Sequence, residues 1–132
     1  MLFYINETSR DTWGGHNLEI TWKKELEDCG IDVDSGIRAH MGNEAMFVKV
    51  LKLVVTDEKF DNFFESADTE DADEIFEISH SLKGTVGNVG LCKMDQLISE
   101  VCETTRRGSM DGVRSKIREV KQIHNEILQH VM

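Results

Sequence analysis

The chain has 132 residues, 39% of them apolar and 30% charged, no proline, and a formal net charge of −10. A chain of this length makes one domain that buries about two thirds of its unfolded surface in a single core, and the composition suits a soluble helical protein. The acidic balance argues against any general affinity for nucleic acid or anionic lipid, and no apolar run approaches the ~18 residues of a membrane span.

Residues 1–15 hold the least legible pattern. Leu2 to Ile5 read as a short strand, a packed arm or a tail, too short and too poor in basic residues for a signal peptide. Trp13-Gly14-Gly15 reads as a turn. Asn17 is a candidate cap for a helix to about Asp28, with Leu18, Trp22, Leu26 and Cys29 at near-helical spacing. Ile20 alternates with Leu18 and Trp22, so a strand stays open there. Gly30 ends the element. Val33, Ile37 and Met41 indicate a short helix stopped by Gly42. Asn43 caps a largely apolar helix to about Val55.

Thr56 is expected to open the next piece, where Phe60, Phe63, Phe64 and Ala67 recur at helical spacing. Thr69 is expected to cap a helix from Ala72 to about Val89. Met94, Leu97, Ile98, Val101, Cys102 and Thr105 make a stripe ending at Gly108. Val113, Ile117, Val120, Ile123, Ile127 and Val131 make the last one. Amphipathic helices on short loops, with no strand series in the main body, predict an all-α, antiparallel four-helix bundle with an additional short N-terminal helix or arm. The expected division is residues 1–29 as the arm and 30–132 as the bundle.

Charge is uneven along the chain. Residues 57–77 carry ten acidic side chains and one basic, whereas residues 91–132 carry seven basic and six acidic. The acidic run reads as a solvated face, with steering toward a basic partner as the alternative. Cys29, Cys92 and Cys102 are odd in number and sparsely spaced, which fits a reduced, cytoplasmic protein. Cys92 and Cys102 fall on or near apolar positions and are expected to be buried. His124 and His130 lack metal-ligand spacing and are expected to face solvent.

The most informative stretch is Ser79-His80-Ser81-Leu82-Lys83-Gly84, running on through Gly87 and Gly90. At about 100° per residue, Ala72, Ile75, Phe76, Ser79, Leu82, Val86 and Val89 share one broad buried face. His80 falls outside that face, Gly84 nearly opposite it, Gly87 close by and Lys83 at its boundary. Glycine in a helix interior costs about 1 kcal/mol against alanine. Its recurrence beside an exposed imidazole suggests bare backbone kept clear for a large partner.

The run from His80 through Lys83-Gly84 to Gly87, Gly90 and Leu91 resembles the signature of histidine-containing phosphotransfer (HPt) domains. Gly30 to Ile37 with Met41-Gly42-Asn43 resembles the usual lead-in to the first bundle helix, and the two helices around Arg107-Gly108-Ser109 resemble the family's last hairpin. The resemblance covers about residues 30–130. It implies a phosphorelay carrier in which His80 takes a phosphoryl group from a receiver aspartate, or a hybrid sensor histidine kinase, and passes it to another receiver.

Lys83 would balance the phosphoryl charge, and Gly84, Gly87, Ser81, Asn88 and Arg106 would serve docking, with Ser79 as a further neighbour. Arg106 also suits the C-terminal helix dipole, and Gly90 has a structural reading as a turn. Cys102 stands where some members place a polar side chain that orients the ring. The resemblance further implies no cofactor and no nucleotide site on this chain, with Mg2+ carried by the partner receiver.

A monomer is expected. The alternatives are a non-catalytic adaptor docking through the same glycine face, a phosphoacceptor fragment of a chemotaxis-type kinase, and dimerisation through the Trp-containing arm. Glu77-Ile78-Ser79-His80 has the Glu-x-x-His form of di-iron bundles but no second copy. Asp32 to Gly36 is too fragmentary for a calcium loop.

Overall fold

A computed structural model describes residues 15–131, and every described element is helical. In chain order these are α1 (Gly15–Asp28), α2 (Val33–Arg38), α3 (Glu44–Val55), α4 (Glu58–Ser66), α5 (Ala72–Val86), a 3-10 turn (Gly87–Val89), α6 (Cys92–Arg106) and α7 (Val113–Val131). Leu2 to Ile5 and Trp13-Gly14 lie outside the described residues.

Helices α4 to α7 pack in sequence, α4 on α5, α5 on α6, α6 on α7, and α7 closes back on α4. Short connections make consecutive helices antiparallel, the up-and-down arrangement expected of a four-helix bundle. Each apolar stripe faces inward. Val113, Ile117, Val120, Ile123, Ile127 and Val131 are all buried, as are Met94, Ile98, Val101, Cys102 and Thr105. Phe47, Phe60 and Phe63 are the largest fully buried side chains of the same core.

Helix α3 lies on α7 beside α4. The break between them has an identifiable cause. Thr56 turns its hydroxyl back onto the Lys52 carbonyl at 2.7 Å, and Asp57 caps α4 by accepting from Lys59 N–H at 2.9 Å. The Val55 carbonyl, left without a helical partner, accepts from His124 Nε2 at 2.7 Å. The next piece therefore opens on Asp57, not Thr56, because a carboxylate facing the free N–H groups is the better cap.

Helix α1 also joins the core, through Trp22, Leu26 and Cys29. The helical alternative holds over Leu18 to Trp22. Asn17 sits inside the helix instead of capping it, since the helix already runs from Gly15. Lys23 Nζ pairs with Glu44 Oε2 at 2.7 Å, tying α1 to the start of α3. His130 Nδ1 lies 3.4 Å from Glu25 Oε1 and is half-buried rather than solvent-facing.

Two further corrections concern ends. Helix α2 stops at Arg38, short of Met41, because Met41 and Gly42 both take positive φ in the turn that follows. Asp71, not Thr69, caps α5, accepting from Glu74 N–H at 3.2 Å; Thr69 instead accepts from Asp71 N–H. Asn43 caps α3 as expected, accepting from Met46 N–H at 2.9 Å.

Candidate functional site

Ile75, Ser79, Leu82 and Val86 form the buried face of α5. His80 follows Ser79 by one residue, about 100° around the helix, and that step turns the imidazole out of the core. His80, Ser81, Lys83, Gly84, Gly87 and Asn88 are all exposed. Helix α5 ends at Val86 and tightens into the 3-10 turn over Gly87–Val89, so its regular course is one turn shorter than the spacing suggests. Ser79 is fully buried with its hydroxyl donating to the Phe76 carbonyl at 3.1 Å, which removes it from the surface around His80.

One turn before His80, Phe76 is half-buried and lays its ring against the imidazole, with centroids 5.6 Å apart and planes at 37°. From the end of α6, the Arg106 guanidinium sits 5.9 Å from the centroid of the same Phe76 ring. Arg106 also pairs with Glu103 at 3.6 Å, on an exposed stretch of helix. His80, Phe76 and Arg106 thus form a row across the α5–α6 seam. Sequence periodicity assigns Phe76 to the core and misses its ring contact. The signal was the four-residue spacing of two rings, which places them on one helix surface.

Gly84 and Gly87 are glycine for no reason internal to the fold. A Cβ added at either meets nothing within 4 Å, and neither has a positive φ. Gly90 is different. Its φ is +71°, an added Cβ would run into the Asp32 carbonyl oxygen, and its own carbonyl accepts from Asp32 N–H and Cys92 N–H, each at 2.7 Å. Gly90 is a structural hinge point that locks the end of the histidine-bearing segment against the lead-in to α2.

Cys102 is buried, as expected, but Cys92 is exposed. It is the first residue of α6, where the chain has just left Gly90 and the inward stripe begins only at Met94. Cys29 is buried, and burial together with Glu126, Asp28 and Glu25 pushes its thiol up to about 11. His124 does not face solvent. It is buried between Phe60 and Phe64, with ring centroids at 4.5 and 5.3 Å. Desolvation holds its pKa below the usual imidazole value, against the opposing pull of the Val55 carbonyl and Asp61. Among the described residues no three His, Cys, Asp or Glu side chains gather as a metal site.

The family model described as Hpt domain matches residues 50–130, more than half of the chain. The chain belongs to the Hpt domain family. No curated protein and no solved structure matched it. Hpt domains are phosphotransfer carriers of phosphorelays that work with receiver domains and kinases. The matched span holds α4 to α6 whole and α7 up to its last residue, and with them His80, Lys83, Gly84, Gly87, Gly90 and Arg106; α1, α2 and the first half of α3 precede it. No described helix of this Hpt chain is long and apolar enough to cross a membrane.

Proposed function

We propose that His80 accepts a phosphoryl group from the aspartate of a receiver domain and returns it to another receiver. The observation that carries this reading is the exposed imidazole beside two glycines whose missing side chains leave open space. A backbone that forgoes alanine at both positions gains nothing inside its own fold, so the clearance serves a partner pressed against that face.

In the forward step a neutral imidazole uses the lone pair of Nε2 to attack phosphorus. The Nε2–P bond forms as the bond from phosphorus to the aspartyl oxygen breaks, and that electron pair leaves on the receiver carboxylate. The ring proton stays on Nδ1, so the phosphorylated ring is cationic until that proton departs. Return of the group reverses each change.

Phosphoryl transfer depends mostly on positioning and charge stabilisation. Lys83, one turn along α5, supplies a point cation for the transferred oxygens. Gly84, Gly87, Ser81 and Asn88 form the surface the receiver covers, with Arg106 at its edge. The chain needs no cofactor of its own, because the receiver brings Mg2+. We further propose that residues 30–132 make the carrier unit, that residues 1–29 form an added arm, and that the protein acts as a cytoplasmic monomer.

The test incubates the full chain with a panel of phosphorylated receiver domains and compares wild type with His80→Gln. Label should pass to wild type from at least one receiver and not to the variant. Equal labelling of His80→Gln, or no labelling of wild type by any receiver, would sink the reading.

A further inference from the structure

Within the described residues neither nitrogen of His80 has a hydrogen-bond partner, and the ring contact to Phe76 is what the imidazole leans on. Cys102 is buried at 2% exposure and offers no polar side chain to orient the ring. An exposed histidine without such support samples several side-chain rotamers, and each misplaced one is unproductive for an in-line attack.

We propose that Phe76 is the positioning residue of this site: its ring selects the His80 rotamer and holds the Arg106 guanidinium at the same aromatic ring. The proposal rests on His80 being the phosphoryl acceptor. Phe76 is suited to the task because it is half-buried and its ring touches both His80 on its own helix and Arg106 from α6. Tilted ring pairs at this separation are attractive, and a guanidinium near the face of an aromatic ring is held by the ring quadrupole. The Glu103 contact to Arg106 is a half-exposed pair at 3.6 Å, the kind that contributes little. Arg106 is therefore kept near by Phe76 and released readily from Glu103 when a dianionic phosphoryl group arrives on His80.

The placement predicts a defect in the transfer step and not in docking. Phe76 lies one turn of α5 before His80, whereas Gly84 and Gly87 follow it, so its loss leaves the receiver's contacts with the glycines intact. Phe76→Leu keeps apolar bulk and removes the ring. Phe76→Tyr keeps the ring.

The experiment measures single-turnover transfer to the full chain across a range of concentrations of a phosphorylated receiver that labels wild type. Phe76→Leu should lower the saturating rate by about fivefold to tenfold with an unchanged half-saturating concentration, consistent with loss of one aromatic pair, and Phe76→Tyr should restore the rate to within about twofold. In wild type, NMR should show ring-to-ring contacts between Phe76 and His80 and a single dominant His80 χ1; this measurement stands even if Phe76→Leu loses helical circular dichroism. A freely rotating His80 ring in wild type, a wild-type rate in folded Phe76→Leu, or an equal loss in Phe76→Tyr would each overturn the proposal while leaving His80 as acceptor. Failure of every receiver to label wild type would instead overturn both.

Discussion

His124 on α7 donates from Nε2 to the Val55 carbonyl at the end of α3 across 2.7 Å, inside the core. A neutral imidazole makes this bond at no charge cost, whereas a protonated one would place a cation between Phe60 and Phe64. Burial lowers the folded pKa of His124 below its unfolded value near 6.5. The unfolded chain therefore binds a proton first as pH falls, and proton uptake there favours unfolding. The contribution is complete above about pH 6.5 and is lost as pH drops toward the lowered folded value. Urea unfolding at pH 7.5 and pH 5 should show a loss of stability in wild type that is visibly smaller in His124→Gln, which cannot titrate. A parallel loss in both proteins would show that His124 is not the group responsible.

The same contact predicts a large penalty for truncation. His124→Ala leaves the Val55 carbonyl without its donor and opens space beside two phenylalanine rings. The expected cost is about 2–4 kcal/mol, read as a lower urea midpoint with the slope unchanged.

Gly84→Ala should separate stability from function. An added Cβ meets open space, and alanine gains about 0.5–1 kcal/mol in a helix interior. The variant should melt higher than wild type. If a receiver covers Gly84, the same methyl group costs about 1–3 kcal/mol of docking, a weakening of about fivefold to 150-fold. A variant that is more stable and equally competent in phosphotransfer would remove Gly84 from the docking surface.

Gly90→Ala should do the reverse. A φ of +71° and the Asp32 carbonyl oxygen both oppose a side chain there. A loss of about 2 kcal/mol or more is expected, measured by thermal melting. A neutral effect would mean that the lead-in to α2 moves away at little cost.

The thiols should differ in reactivity. Cys92 is exposed, Cys102 is buried, and Cys29 is buried with its thiol at about 11. Since the thiolate is the nucleophile, a disulfide reagent at pH 8 should label Cys92 fast in the folded protein. All three should react in denaturant, and fast native labelling of Cys29 would contradict its burial.

Much of the fold was legible because it depends on local repetition. The stripes of α6 and α7 carried their burial in their spacing, and Asn43 carried its capping role in its position before an apolar run. His124 was also within reach. Val113, Ile117, Val120, His124, Ile127 and Val131 step by four and three residues along α7, and only the polarity of imidazole argued for solvent. What supplied its missing partner was the free carbonyl of Val55, 69 residues away in sequence. Cys92 was misplaced for the opposite reason: the first residue of a helix has no preceding turn to establish a face.

The histidine site divides along the same line. The sequence by itself determined that His80 leaves the core, since one residue past a buried position on a helix is about 100° around it. It also determined the nearness of Lys83 and Gly84, which helical geometry sets without reference to any other element. Helical pitch also set Gly84 and Gly87 off the core face, but tertiary structure alone decided that Gly90 is locked against Asp32, because a glycine's need is defined by what its absent side chain would strike. It alone decided that Arg106 lies over Phe76. That contact joins two helices, and the pitch of one helix carries no information about where another sets down its side chains.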